Sequence, residues 1–292
     1  MSWLLEPFTA DFMLRALVGG VLVAAICAVV GTWVVLRGMA FLGEAMGHGM
    51  LPGVAVATLV GAPVLLGAAL SATVMTIGVG LVRRRGRLSH DTSIGLLFVA
   101  MLALGVIVIS HSGSFASDTT AILFGDVLAI RVPDLVVLAL ALLIVLVTAA
   151  AFHRSFVALA FDERVAKVMG LRPALAQGVL VGLVTVAVVA SYQAVGSLLV
   201  VGLLLAPAVA AAPWTTSIES RMLLGALVGA LAVGTGLVVS WHSGTAAGAS
   251  IAATSIAFAA VSSLLRAVVR PTGAPVAQAD PVPTEKAVRA LP

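Results

Sequence analysis

Glu44 and His48 stand inside one apolar stretch of the chain, from Arg37 to Gly61: RGMAFLGEAMGHGMLPGVAVATLVG. Four residues apart on a helix, their side chains fall on one face, one turn above the other. A carboxylate beside an imidazole is half of a divalent-metal site. Each charge placed within a bilayer costs roughly 2.5 kcal/mol or more, so ionisable residues at such depth read as functional by default. The competing reading of the same pair is an intrahelical Glu–His contact that only glues helices together. Two neighbouring features favour the first. Gly43, Gly47, Gly49 and Gly53 strip bulk from the helix, so another backbone is expected to come close. Pro52 has no N–H, so the carbonyl of His48 loses its helical donor and must find another partner or face a polar cavity.

The elements that position these residues follow from composition. The 292 residues are 61% hydrophobic and only 10% charged, against roughly 25% charged in soluble domains. Runs of about 20 apolar residues recur from end to end, which is the pattern of an all-α polytopic membrane protein. Spans are expected near 14–36, 41–60, 63–82, 92–110, 133–152, 174–192, 195–213, 222–240 and 247–265. No span other than 41–60 holds an acid or a histidine inside a continuous apolar run. The reversal at Gly61-Ala62-Pro63 is short, so 41–82 also reads as one span with a re-entrant piece, and eight to nine transmembrane helices are expected. With nine spans and an outside N-terminus, one side receives Arg37, Arg83, Arg84, Arg85, Arg87, Arg154, Arg164, Lys167, Arg172, Arg221, Arg266, Arg270, Lys286 and Arg289, all but Arg15 and Arg131 of the sixteen basic residues. The positive-inside rule makes that side cytoplasmic. The net charge of +4 therefore reflects topology and not nucleic acid. Residues 1–270 read as the transmembrane domain, and the Pro- and Ala-rich stretch 271–292 as a disordered cytoplasmic tail. The single cysteine, Cys27, offers no disulfide framework, and the acidic N-terminal segment lacks the basic start of a signal peptide.

Two loops are informative. On the inner side, Phe152 to Pro173 reads FHRSFVALAFDERVAKVMGLRP. Apolar positions at helical spacing run from Ser155 to Val168 beside Asp162, Glu163, Arg164 and Lys167, and Gly170 and Pro173 supply stop signals. One short amphipathic helix is expected there, lying on the lipid or docking into a partner. On the outer side, 111–134 is long, with a short helix expected around Ala121–Ile130 and Asp118 and Asp126 facing water. His90, His111, His153 and His242 lie at span ends and read as interfacial residues. No Gly-rich loop ending in Lys-Ser or Lys-Thr is present, so the chain has no phosphate loop. HExxH, GxSxG and a Cys/His zinc cluster are absent as well, which argues against an enzyme.

These motifs resemble one family. Arg37-Gly38-Met39-Ala40-Phe41-Leu42-Gly43-Glu44 through His48 and Leu51-Pro52-Gly53, then Ile122-Leu123-Phe124-Gly125-Asp126, Phe161-Asp162 through Gly170-Leu171, and Val195-Gly196-Ser197-Leu198-Leu199-Val200 through Leu205-Ala206-Pro207-Ala208 occur in the order seen in the membrane permeases of the ATP-driven zinc, manganese and iron importers of bacteria. The likeness covers roughly residues 13–266. It implies a type II-like ABC importer permease of the inner membrane, homodimeric, joined to an ATP-binding subunit on each copy. A periplasmic or lipid-anchored metal-binding protein would feed it. In that family the acid before the histidine is usually Asp, within Gly-Asp-Ala-(x)-Ser-His, and the pair is implicated in handling the metal. Here Glu44 and Gly47 stand in place of the Asp and the Ser. The resemblance also makes Asp162, Glu163, Lys167 and Gly170 part of the element that couples to the ATPase.

The expected function is therefore a permease for divalent transition-metal ions, zinc ranked ahead of manganese, with no permanently bound cofactor. Two copies would bring two Glu44 and two His48 around the dimer axis, up to four N/O donors and no thiolate. The alternative from another class is an ion- or proton-coupled secondary metal carrier that works without an ATPase, since a buried Glu–His pair is also a proton relay.

Overall fold

The computed structural model describes residues 6–85, 90–111, 127–161 and 163–269. Within them the chain is helical, joined by short turns: α1 (Asp11–Leu36), α2 (Ala40–Gly49), α3 (Leu51–Val60), α4 (Val64–Arg85), α5 (His90–His111), α6 (Val132–Ala151), α7 (His153–Phe161), α8 (Glu163–Val168), α9 (Pro173–Ala211), α10 (Ile218–Ser243) and α11 (Ala247–Val269). Seven of these, among the described residues, contain a stretch long and apolar enough to cross a bilayer.

The two remaining expected spans are built differently. Residues 40–60 form two ten-residue helices that meet at Met50. Each is about 15 Å long, about half the thickness of the hydrocarbon. Residues 195–213 are the second half of α9, which is broken at Gly196 (φ 76°, ψ 164°), a conformation open to glycine. Gln177, near the start of α9, is hydrogen-bonded to Arg37. Beyond Gly196, Cys27 Sγ approaches the Val200 carbonyl and Gly31 faces Leu204. The chain thus leaves the Arg37 end in the first half of α9 and runs back toward it in the second. The turn after α3 is closed by Gly61 (φ 68°), with Gly61 N–H bonded to Thr58 and Ala62 N–H to Ala57. This Schellman motif turns the chain back, so that α3 and α4 pack side by side.

Lipid supplies no hydrophobic drive between helices, so close packing of small residues must hold them. α1 is the hub. Gly20, Ala24 and Ala28, spaced by four, face Val233, Gly229 and Gly225 of α10 in antiparallel register. On another side of α1, a Cβ at Gly31 would sit 1.8 Å from the Leu204 carbonyl oxygen, so only glycine permits that backbone contact. The outward faces of the other helices carry apolar stripes, such as Leu66, Leu70, Val74, Ile77 and Leu81 on α4. Spacing of three and four residues marks them as lipid-facing. One end of the bundle gathers Arg37, the start of α7, the start of α10 and the end of α11. There Arg37 reaches α7 and α9, His153 meets Glu219, and Arg266 stacks on Trp214. This is the basic end, and hence the cytoplasmic one.

The helix expected over 155–168 is seen as α7 and α8, on either side of Asp162, which lies outside the described residues. Arg37 donates to the Leu159 carbonyl of α7. The outer helix expected near Ala121–Ile130 falls mostly outside the described residues. Only a 3-10 turn at Val127–Ala129 is seen. Asp118, Asp126 and the tail 271–292 lie outside them as well.

Gly31→Ala is expected to lower the thermal midpoint of the detergent-purified chain, at a cost of about 1–3 kcal/mol, the range for overpacking. Gly234→Ala, where an added Cβ meets open space, should leave it unchanged.

Candidate metal site

α1 ends in a second Schellman motif. Gly38 (φ 63°) donates to Val35 and Met39 to Val34. The turn sets α2 off from the cytoplasmic end, so Glu44 and His48 lie about 6 and 12 Å along that helix from its first residue. The pair therefore lies about one to two turns in from the end of the bundle that holds Arg37.

Glu44 Oε1 lies 3.4 Å from His48 Nδ1, and the same nitrogen is 3.3 Å from the Glu44 carbonyl oxygen. Nδ1 is thus turned to its own helix, which leaves Nε2 as the outward nitrogen. The side chains keep 35% and 19% of their accessible surface, so the pair is half-buried with one open side. Phe98 of α5 forms the wall. Its ring stands edge-on to His48 and to Phe41, with centroids 5.6 Å away in each case. Such T-shaped contacts fix ring orientation as well as area. Among the described residues no third His, Cys, Asp or Glu joins the two.

The opposite face of α2 is locked into the bundle. Met46 is fully buried, and its sulfur is 3.9 Å from the hydroxyls of Thr76 on α4 and Thr185 on α9, which lie 2.9 Å from each other. Of the expected glycines, Gly53 meets another backbone, whereas Gly43 and Gly49 meet side chains. A Cβ at Gly43 would meet Leu204, at Gly49 the Met75 sulfur, and at Gly53 the Gly67 carbonyl.

The carbonyl released by Pro52 is not left free. Met50 N–H turns back to the His48 carbonyl, and Ser71 Oγ donates to the Gly49 carbonyl at 2.8 Å. Gly105 of α5 lets that helix close over the break, since a Cβ there would lie 2.8 Å from Leu51 Cβ and 3.2 Å from Pro52 N. The carbonyl is thus spent within the bundle and does not converge with the pair.

The second group of expected residues is remote from the first, at the cytoplasmic end. Lys167 is exposed on α8. Gly170 (φ 71°) closes α8, with Gly170 N–H bonded to Lys167 and Leu171 N–H to Ala166, a third Schellman motif. Asp162 and the Glu163 side chain lie outside the described residues. Phe161 and Val168 are 85% and 89% exposed beside them, an apolar elbow on the basic side. His153 is more than an interfacial residue. Its Nε2 lies 3.3 Å from Glu219 Oε1, and its ring stands edge-on to Trp33 at 5.6 Å. Neither this contact nor that of Phe98 with His48 carries a sequence signal, because each joins segments far apart in the chain.

Comparison with known proteins gives the context. The family described as the ABC 3 transport family matches residues 9–266. The manganese transport system membrane protein MntC of Listeria monocytogenes is 36% identical over 241 residues, covering 82% of this chain and 86% of that one. The chelated iron transport system membrane protein YfeD of Yersinia pestis is 31% identical over 254 residues, covering 86% and 84%. Among solved structures, PsaBC from Streptococcus pneumoniae in complex with Fab superposes with a TM-score of 0.79 at 30% identity, covering 89% of this chain and 94% of that chain.

Ser71→Ala is expected to cost about 1–3 kcal/mol, because it leaves the Gly49 carbonyl without its buried donor. A lower thermal midpoint of the purified chain is the readout. Thr185→Ala should cost less, since its partner Thr76 keeps the Ala72 carbonyl as an acceptor on its own helix.

Proposed function

The chain belongs to the ABC 3 transport family, a multi-pass protein of the bacterial cell membrane, and we propose that it is the permease subunit of an ATP-driven importer of divalent transition-metal ions. The observation that carries the proposal is the Glu44 carboxylate 3.4 Å from the His48 imidazole on α2, packed among the apolar helices of the bundle. Its oxygen and nitrogen donors suit Mn²⁺, Fe²⁺ and Zn²⁺ alike. The relatives named for manganese and chelated iron support ranking manganese ahead of zinc as cargo. Two donors are too few for any of these ions, so a second copy of the chain completes the set from its own Glu44 and His48. Membership of an ABC transport family speaks against the carrier that works without an ATPase.

On this reading the cargo is bound only in passing. Binding needs an ionised carboxylate and a neutral imidazole, so it competes with protons and weakens in acid. ATP is hydrolysed by a separate subunit, because the chain has no phosphate loop. That subunit docks on the elbow formed by α7 and α8, where Phe161, Val168 and Met169 are exposed beside Lys167. A binding protein delivers the ion on the opposite side.

Two experiments follow. In vesicles holding the assembled importer, Glu44→Gln and His48→Ala should each cut Mn²⁺ uptake at least about tenfold, since even outer-shell partners of a metal contribute that much, while assembly is retained. Normal uptake by Glu44→Gln would falsify the metal-handling role and leave the helix-gluing one, which glutamine preserves. Separately, a cysteine placed at Lys167 or Met169 should crosslink to the ATPase subunit. The one native cysteine, Cys27, is fully buried and gives no background. Crosslinking from Arg221 but from neither elbow position would refute the docking assignment.

A further inference from the structure

Arg37 follows the last residue of α1 and stands three residues before α2. Its guanidinium reaches two other elements at once. Nη1 donates to the carbonyl of Leu159, in the last turn of α7, and Nη2 donates to Gln177 Oε1 of α9 at 2.8 Å. Gln177 is itself buried, and its Nε2 lies 3.3 Å from Met39 Sδ, at the residue on which α2 starts. The last turn of α7 is the negative end of its dipole, which is where a cation fits. Trp33, one turn before Arg37, grips the same helix. Its ring stands edge-on to Phe156 at 5.3 Å and to His153 at 5.6 Å. One face of the last turn of α1 therefore holds α7 by an aromatic contact and a charged one.

We propose that Arg37 is a positioning residue of the transport cycle, carrying displacements of the α7–α8 elbow to the base of α2 and so setting where Glu44 and His48 stand. The proposal rests on the metal and docking assignments given above. Its physical basis is the shape of the group. A guanidinium holds its donors in a rigid planar fork. The Leu159 carbonyl and the Gln177 amide cannot shift against each other without breaking one of its bonds. Between Arg37 and α2 there is little slack. Only Gly38 and Met39 intervene, both tied back into α1 through Val35 and Val34, and Gln177 holds Met39 from the other side. A push on α7 is thus delivered to the first turn of the helix that carries the metal pair.

Mn²⁺ uptake and ATP hydrolysis measured together, in vesicles holding the full chain with its ATPase subunit, test this. R37A is expected to lower Mn²⁺ taken up per ATP hydrolysed about tenfold, with hydrolysis within about twofold of the parent, a loss of the size that coupling energies produce. R37K keeps the charge but not the fork and should recover part of the ratio. A proportional fall in uptake and hydrolysis, or an unchanged ratio, overturns the proposal, because a merely structural clamp lowers both together. If R37A does not assemble, Q177L decides, since it keeps the Leu159 bond and removes only the bridge to Met39. A lowered ratio supports the proposal and an unchanged one overturns it. E44Q in the same vesicles separates the two levels. Lost uptake there with an unchanged R37A ratio leaves the metal assignment standing and removes the role of Arg37. Normal uptake there removes the metal assignment and this proposal with it.

Discussion

The interior of a bilayer offers no water to an unpaired peptide group, and Pro52 frees one such group where α2 meets α3. Much of the local architecture answers that one missing N–H. The helix divides at Met50, whose own N–H turns back to the His48 carbonyl. Ser71, from the neighbouring α4, supplies a donor to the Gly49 carbonyl. For Ser71 to reach it, α3 and α4 must approach until their backbones nearly touch, which Gly53 and Gly67 allow. A Cβ on either would come within 2.2 Å of the other's carbonyl oxygen. For α5 to shield the break, Gly105 must sit against Leu51 and Pro52. The break between α2 and α3 is thus met by a hydroxyl on one helix and packed by glycines on three.

The same reasoning explains why the bundle is organised around α1. Leucine gains nothing by leaving lipid for a leucine-lined interface, so adhesion comes from dispersion at short range and from hydrogen bonds. Gly20, Ala24 and Ala28 let α10 lie close, and Gly31 lets the second half of α9 touch backbone to backbone. Bulk is then pushed outward, where stripes such as that of α4 meet lipid. Polar side chains inside are few: Thr32, Thr76 and Thr185 bond to a carbonyl of their own helix, whereas Ser71 and Gln177 reach another element.

Much of this was legible in the sequence because the membrane imposes length and composition directly. Every expected apolar run corresponds to helical structure. Pro52 announced a lost helical donor in the second run but not its division into two helices, and the four-residue spacing of Glu44 and His48 announced their common face. The hold of Arg37 on α7 was not legible, because it joins residues 122 apart, Arg37 and Leu159. The wall of the metal pair was hidden for the same reason. Phe98 looks like any apolar residue of a spanning helix, and only the packing of α5 against α2 turns its ring toward His48. The place of the pair relative to the ends of the bundle was also hidden, since it depends on which end α2 starts from.

The incompleteness of the pair is consistent with a passage site in a way that a full ligand set is not. Four protein donors in tetrahedral array make a structural site, which holds its ion. Here one chain offers a carboxylate and an imidazole, open on one side and held from behind by Phe98 and by the buried Met46. The helix break adds a contribution of its own. His48 lies in the last turn of α2, where the aligned peptide dipoles present their negative end, a favourable setting for a cation in a low-dielectric surround. Two further donors from a second copy would raise affinity only while the two faces stay in register. An ion held by a set that forms and separates with the motion of α2 is bound when the copies agree and released when they do not. On the proposed reading, control over the base of α2 would be control over affinity, and the turn at Gly38 and Met39, between α7 and the pair, is where it would act.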